Sequence, residues 1–209
     1  MYYWDKQHSK GICELWMKAG IGDSTRYITI HSLSSRVGAD LCQVLPAVHT
    51  LTGCDYTSKF GTKSAALKVN SYTFLKDFGV SSEGPRESVL ESAEKYLVQV
   101  LKKGTQCLTM DQLRNYQYHH SKNFSIEHLP PTSHATKYHI LRAYYATYEM
   151  ISILSRDKIT LNPVRYGFQE IDDLLIPDKA LRYIPEEYAL QCKCLKCATE
   201  RCLCRQNFV

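Results

Sequence analysis

An α/β segment at the start, a mainly α-helical region after it and a short cysteine-rich tail are predicted by three features of the sequence. In RYITI, residues 26–30, Ile28 and Ile30 alternate with Tyr27 and Thr29 at the period of a strand. Further on, Val89, Ala93, Tyr96, Leu97, Val100 and Leu101 recur at helical spacing, and so do Leu141, Tyr144, Tyr145, Tyr148 and Ile151. Five of the nine cysteines then crowd between positions 192 and 204. Clustering of that kind belongs to chemistry rather than packing.

The elements follow in order. A short strand is expected over 12–17, and Gly20, Gly22 and Asp23 form a hairpin-like turn into RYITI. Ser34 or Ser35 caps a short helical turn that Gly38 ends. Asp40 caps the next helix, which runs through Leu51 with Pro46 kinking or dividing it. Gly53 stops that helix, and a second begins near Ser64. Residues 71–79 read as a short helix closed by Gly79, and 81–88 as a loop. The Val89–Leu101 face forms a helix that Gly104 closes. Residues 109–120 make another, with a Thr109 cap and Asp111 in its first turn. LPPTSH, 129–134, is a rigid break before the long aromatic-faced helix. From 162 to 187, Pro163, Gly167, Pro177 and Pro185 predict an irregular strap. The implied division is 1–80, 81–160, 161–190 and 191–209, with no internal repeat.

Composition limits the function classes. A chain of 209 residues can bury a core, and 44% hydrophobic with 22% charged residues is ordinary for a globular protein. No apolar run approaches the roughly 18 residues of a membrane span. The first residues, MYYWDKQHSKGICELW, lack a basic start followed by an apolar stretch. No membrane partner is expected, and nine cysteines without a secretory signal point to an intracellular setting. Cys13, Cys42, Cys54 and Cys107 are dispersed and read as small apolar packing residues. A net charge of +5 suits nucleic acid without establishing it. No P-loop or dinucleotide fingerprint is present, so no small-molecule cofactor is expected.

The densest signal is HTLTGCDYTSKFGTKSAALK, residues 49–68. An apolar helix ends at Gly53, Asp55 follows at once, and Gly61 and Lys63 open a second helix. A carboxylate at the end of a buried element suits a metal ion. A Gly-x-Lys turn before a helix suits a phosphate, because free N–H groups and the helix dipole favour an anion there. In the alternative reading Asp55 caps the next helix and Lys63 is a solvated surface lysine.

Gly53, Cys54, Asp55 and Tyr56 resemble the metal-binding segment of the flap-endonuclease branch of the PIN-like nucleases. Gly61, Lys63 and Ala65 resemble that family's phosphate loop, with one glycine where the family has two. Residues 1–80 would then be a partial PIN-like domain with a helix-turn-helix element. RYITIHSL (26–33), HTLTGCDYTS (49–58), LPPTSHATKYHILRAYYATY (129–148) and the terminal cysteines follow the order of a mobile-element-associated animal lineage with a PIN-like domain. The resemblance covers nearly the whole chain and implies DNA as a partner and a nuclear setting.

A two-metal nuclease needs several carboxylates around ions about 4 Å apart. Upstream of Asp55 only Asp5, Glu14, Asp23 and Asp40 are available, and none forms an Asp-x-Asp pair. The resemblance therefore implies that an acidic strand belongs before Met1, on an N-terminal part of a longer chain. Mg²⁺ or Mn²⁺ would be bound only by such a complete domain, and this chain alone is expected to be catalytically incomplete.

Cys192, Cys194, Cys197, Cys202 and Cys204 form a C-x-C-x2-C-x4-C-x-C run. Thiolates so spaced can fold a segment around Zn²⁺, at about 2.3 Å per bond. The run resembles the first half of the CXC modules of tesmin-like chromatin proteins, which would make the tail a structural zinc site or interaction module. An inert tail is the alternative. His119, His120, His134 and His139 have no ligand-spaced partners and read as surface or loop residues, whereas His49 reads as a core histidine.

Overall fold

The computed structural model describes residues 1–120 and 128–179. Seven α-helices and two small antiparallel hairpins make up its regular structure among the described residues. The architecture is mixed and helix-dominated.

The chain begins with α1 (Trp4–His8), then pairs β1 (Trp16–Ala19) with β2 (Arg26–Thr29) across a 3-10 turn at Gly22–Ser24. The expected hairpin is present, with its first strand a few residues later than expected. Ile30 starts α2 (Ile30–Val37) instead of ending the strand. Gly38, at φ 89°, closes α2 and also serves as N-cap of α3 (Ala39–Leu51), which displaces Asp40 from the capping role. Asp40 instead pairs with Lys76 at 2.7 Å. Pro46 lies inside α3 without dividing it.

Beyond the turn at 52–62 come α4 (Lys63–Leu67) and a 3-10 segment, Asn70–Leu75. The longer helices are α5 (Glu87–Leu101), α6 (Met110–His120) and α7 (Ser133–Ser152). Thr132 caps α7 by accepting from the Ala135 N–H at 3.2 Å.

The core lies where α3, α5 and α7 meet. Val44, Ala47, Val48 and Leu51 from α3 share it with Ala93, Tyr96 and Leu97 from α5 and Ile140, Ala143 and Tyr144 from α7. Spacings of three, four and seven residues put each set on one helical face. Full burial of each large side chain contributes about 1.5–3 kcal/mol. Segments 1–80 and 81–160 thus contribute to the same core. Inside it the Thr50 and Thr147 hydroxyls meet at 2.7 Å, joining α3 to α7 through a hydrogen bond shielded from water.

The irregular strap expected over 161–190 is corrected within its described part. A 3-10 turn, Pro163–Tyr166, leads into β3 (Phe168–Ile171) and β4 (Leu174–Pro177). The two strands pair around Asp172 and Asp173, both at positive φ (50° and 61°). Two successive positive-φ residues are the geometry of a two-residue hairpin turn, which Asp tolerates. Pro177 ends β4, an edge strand of a two-stranded sheet, where a missing N–H is tolerated. Phe168 and Tyr166 are buried, and Tyr166 stacks parallel to Tyr144 of α7 with ring centres 6.0 Å apart.

Candidate nucleic-acid interface

The turn between α3 and α4 is built by its own side chains. Thr52 donates from Oγ1 to the Val48 carbonyl at 2.7 Å, finishing α3. Gly53 follows at φ 113°, and a Cβ there would lie 2.8 Å from the Lys59 Cα. Only glycine fits where the turn crosses its own backbone. Cys54 and Thr57 exchange backbone hydrogen bonds of 3.1 and 3.2 Å, placing Asp55 and Tyr56 at the tip of a tight reversal. Thr57 anchors it by donating from Oγ1 to the Thr50 carbonyl at 2.6 Å. The Phe60 N–H returns to the Thr52 carbonyl at 3.2 Å, and the buried Phe60 ring packs on His139 of α7.

Within this frame Asp55 and Tyr56 are exposed. Asp55 does not N-cap α4: Thr62 does, accepting the Ala65 N–H at 3.1 Å. Among the described residues no group of three or more His, Cys, Asp or Glu is placed to hold a metal ion. Glu14 accepts a hydrogen bond from the Trp16 indole, Asp23 lies in the 3-10 turn and Asp40 is paired with Lys76. One exposed carboxylate at a turn tip does not fit a two-metal centre, and no catalytic step is derived through one.

Gly61 has a packing role that its motif does not report. It adopts φ 64°, and a Cβ would stand 2.7 Å from Val100 Cγ1 of α5. Its lack of a side chain lets the turn approach α5. Only five residues long, α4 has its N-terminal N–H of Ala65 taken by Thr62. Thr62 thus occupies one of the first-turn donors of this short helix.

Lys59 and Lys63, both exposed, line one open cleft of about 440 Å³ together with Thr52, Gly53, Cys54 and Thr62. On the other side of Lys59–Gly61 lies a second cleft of about 390 Å³, walled by Leu101, Gln117, His128 and Pro131. Neither lysine makes an ion pair among the described residues. The position of α4 is held from below by Tyr96, whose buried phenol donates to the Ala66 carbonyl at 3.0 Å. Burial pushes that phenol well above the ordinary tyrosine value, so it remains a donor.

Two histidines exchange the places expected of them. His49 is half-buried at the edge of α3 and meets Lys63, with Nδ1 and Nζ 2.9 Å apart. His139, expected on the surface, is the buried one, with Nε2 2.8 Å from the Leu51 carbonyl. His49 was legible only as a residue between core positions. No local pattern reports its contact with Lys63, because α3 and α4 must first pack.

Of the dispersed cysteines, Cys42 is buried as expected, Cys54 and Cys107 are partly buried, and Cys13 is exposed. Cys192, Cys194, Cys197, Cys202 and Cys204 lie outside the described residues. No described helix is long and apolar enough to cross a membrane. No protein-family model, curated protein or solved structure matches the chain.

Proposed function

We propose that this protein associates with nucleic acid through the turn between α3 and α4, as its resemblance to the flap-endonuclease branch of the PIN-like nucleases implies. The observation that carries the reading is the cleft at that turn. Lys59 and Lys63 both line it, neither forms an ion pair among the described residues, and backbone hydrogen bonds and two positive-φ glycines fix the turn that presents them. Lysines without an ion-pair partner among the described residues, held on a rigid frame, suit a phosphate backbone, which is recognised by charge rather than by sequence. The exposed Tyr56 ring at the turn tip adds a surface on which a base can stack.

The chain acts in this reading as a binding part and not as a complete nuclease. Asp55 would be a residual or shared metal ligand only if further acids came from elsewhere. The cysteine-rich tail offers a second, independent function, a zinc-stabilised module whose Lys193, Lys196, Arg201 and Arg205 outnumber Glu200 and suit DNA phosphates. Nuclear residence accords with both.

The test is the salt dependence of duplex binding by the wild type and by Lys63→Ala. Loss of one phosphate contact should weaken binding to every sequence alike and reduce the salt slope by about one. An unchanged affinity and slope would return Lys63 to the role of a solvated lysine.

A further inference from the structure

His49 and Lys63 are 14 residues apart, yet Lys63 Nζ comes within 2.9 Å of His49 Nδ1. An ammonium has only donors, so Nδ1 is the acceptor and His49 is neutral while the contact stands. Partial burial lowers the pKa of His49 below the ordinary histidine value, the Lys63 charge lowers it further, and Asp55 acts in the opposite direction. The ring therefore stays neutral at neutral pH. A proton on Nδ1 is incompatible with the contact: the acceptor becomes a donor, and a second positive charge stands beside the first. An anion between them accepts from both and removes the repulsion.

Among the described residues, several charged groups around α3 are engaged elsewhere. On α7, His139 bonds the Leu51 carbonyl, Arg142 the Gly167 carbonyl, and Glu149 pairs with Lys158. Lys76, after the 3-10 segment, pairs with Asp40 of α3 itself. Arg36 of α2 is exposed, and Lys59 shares the cleft with Lys63. Asp55 and Lys63 are the charges that act on His49.

We propose that His49 and Lys63 form a proton-gated phosphate site. The neutral imidazole holds Lys63 against α3, and protonation of His49 frees the lysine and adds a second cation to grip a nucleic-acid phosphate at the cleft. The proposal rests on the nucleic-acid reading above and deepens it by naming a second binding residue and the condition under which it binds.

Binding of a cyanine-labelled DNA duplex is measured by anisotropy at constant ionic strength, at about pH 7.5 and about pH 5.5, either side of the ordinary histidine value. Wild-type affinity should rise at least about five-fold at the lower pH, the low end of ordinary coupling between two bound species, and His49→Gln should abolish that rise. In wild-type protein the duplex should also raise the pKa of the His49 ring followed by NMR, and inorganic phosphate alone should move it less. A rise retained in His49→Gln, a His49 titration unmoved by duplex, or an equal response to free phosphate overturns the proposal. Lys63→Ala binding like wild type at both pH values overturns the cleft reading itself, so the two failures are distinguishable.

Discussion

His139 of α7 completes the C-terminus of α3: its Nε2–H donates to the Leu51 carbonyl at 2.8 Å, across 88 residues of sequence. The last carbonyls of a helix have no partner within it, and here a buried side chain supplies one. The same imidazole packs on Phe60, ring centres 5.1 Å apart, so one residue fixes both ends of the turn that carries Lys59. The other ring nitrogen, Nδ1, is buried without a hydrogen bond, and a proton there would be an unpaired buried charge.

Stability should therefore depend on pH through His139. Burial lowers its pKa in the folded protein; the bond to Leu51 opposes this in part, and Arg142 adds to the lowering. As pH falls the unfolded chain takes up the proton first, so unfolding gains protons and the fold loses stability. The contribution is complete above about pH 6.5 and declines as pH falls from there toward the lower folded value. His139→Gln should flatten that part of the stability curve in urea titrations. His139→Ala, leaving the Leu51 carbonyl unsatisfied, should cost about 1–3 kcal/mol near pH 7. An undiminished acid response in His139→Gln would assign it to other groups.

Gly53 and Gly104 separate steric need from backbone preference. Both have positive φ, but a Cβ at Gly53 meets the Lys59 Cα at 2.8 Å, whereas at Gly104 it meets nothing within 4 Å. Gly104→Ala should cost only the left-handed conformation, about 1–2 kcal/mol. Gly53→Ala should cost more and weaken nucleic-acid binding as the turn shifts. Equal losses in chemical denaturation would mean that the turn relaxes freely around position 53.

The parts of the fold that were legible are those fixed by local periodicity. Ala93, Tyr96, Leu97 and Val100 declare a buried helical face wherever they pack, and α5 and α7 appear where that spacing puts them. The hairpin of β3 and β4 was hidden because three prolines and Gly167 between 163 and 185 dominated four-residue strands; Pro177 proved harmless at a strand end. Asp40 looked like a cap because its partner, Lys76, is 36 residues away. His49 and His139 were exchanged for the same reason. A helix with an apolar face does not reveal which of its polar residues will find a partner across the core. At the site, Lys63 and Gly61 were visible as a pattern. What the pattern could not convey is that Gly61 serves the approach to Val100 and that Lys63 rests on His49.

The cysteine-rich tail should bind about one Zn²⁺ per chain in a sulfur-rich tetrahedral site, since four thiolates complete such a site. Five cysteines between 192 and 204 leave one spare, and Cys197 or Cys204 is the expected one. Chelation should leave the helical body folded, because α3, α5 and α7 bury their own apolar faces against one another. Metal analysis of protein purified under reducing conditions checks this. Absence of zinc, or zinc retained after Cys192, Cys194 and Cys202 are replaced by Ser, would remove the tail as a metal site.

Asp55 provides the last test, of catalysis itself. It is exposed at the tip of the Cys54–Thr57 reversal, and no second and third ligand converge on it among the described residues. Two ions bridging attacking and leaving oxygens require several carboxylates, and one cannot hold them. The purified chain should not cleave flap, hairpin or single-stranded substrates above background in Mg²⁺ or Mn²⁺. Asp55→Ala should fold with stability close to wild type, since the exposed carboxylate forms no salt bridge among the described residues. Removing that negative charge should also strengthen DNA binding slightly, by lessening repulsion of phosphate beside Lys59 and Lys63. Cleavage by the wild type that disappears in Asp55→Ala would instead require a metal centre assembled from residues that the described structure does not bring together, and would make this chain a nuclease in its own right.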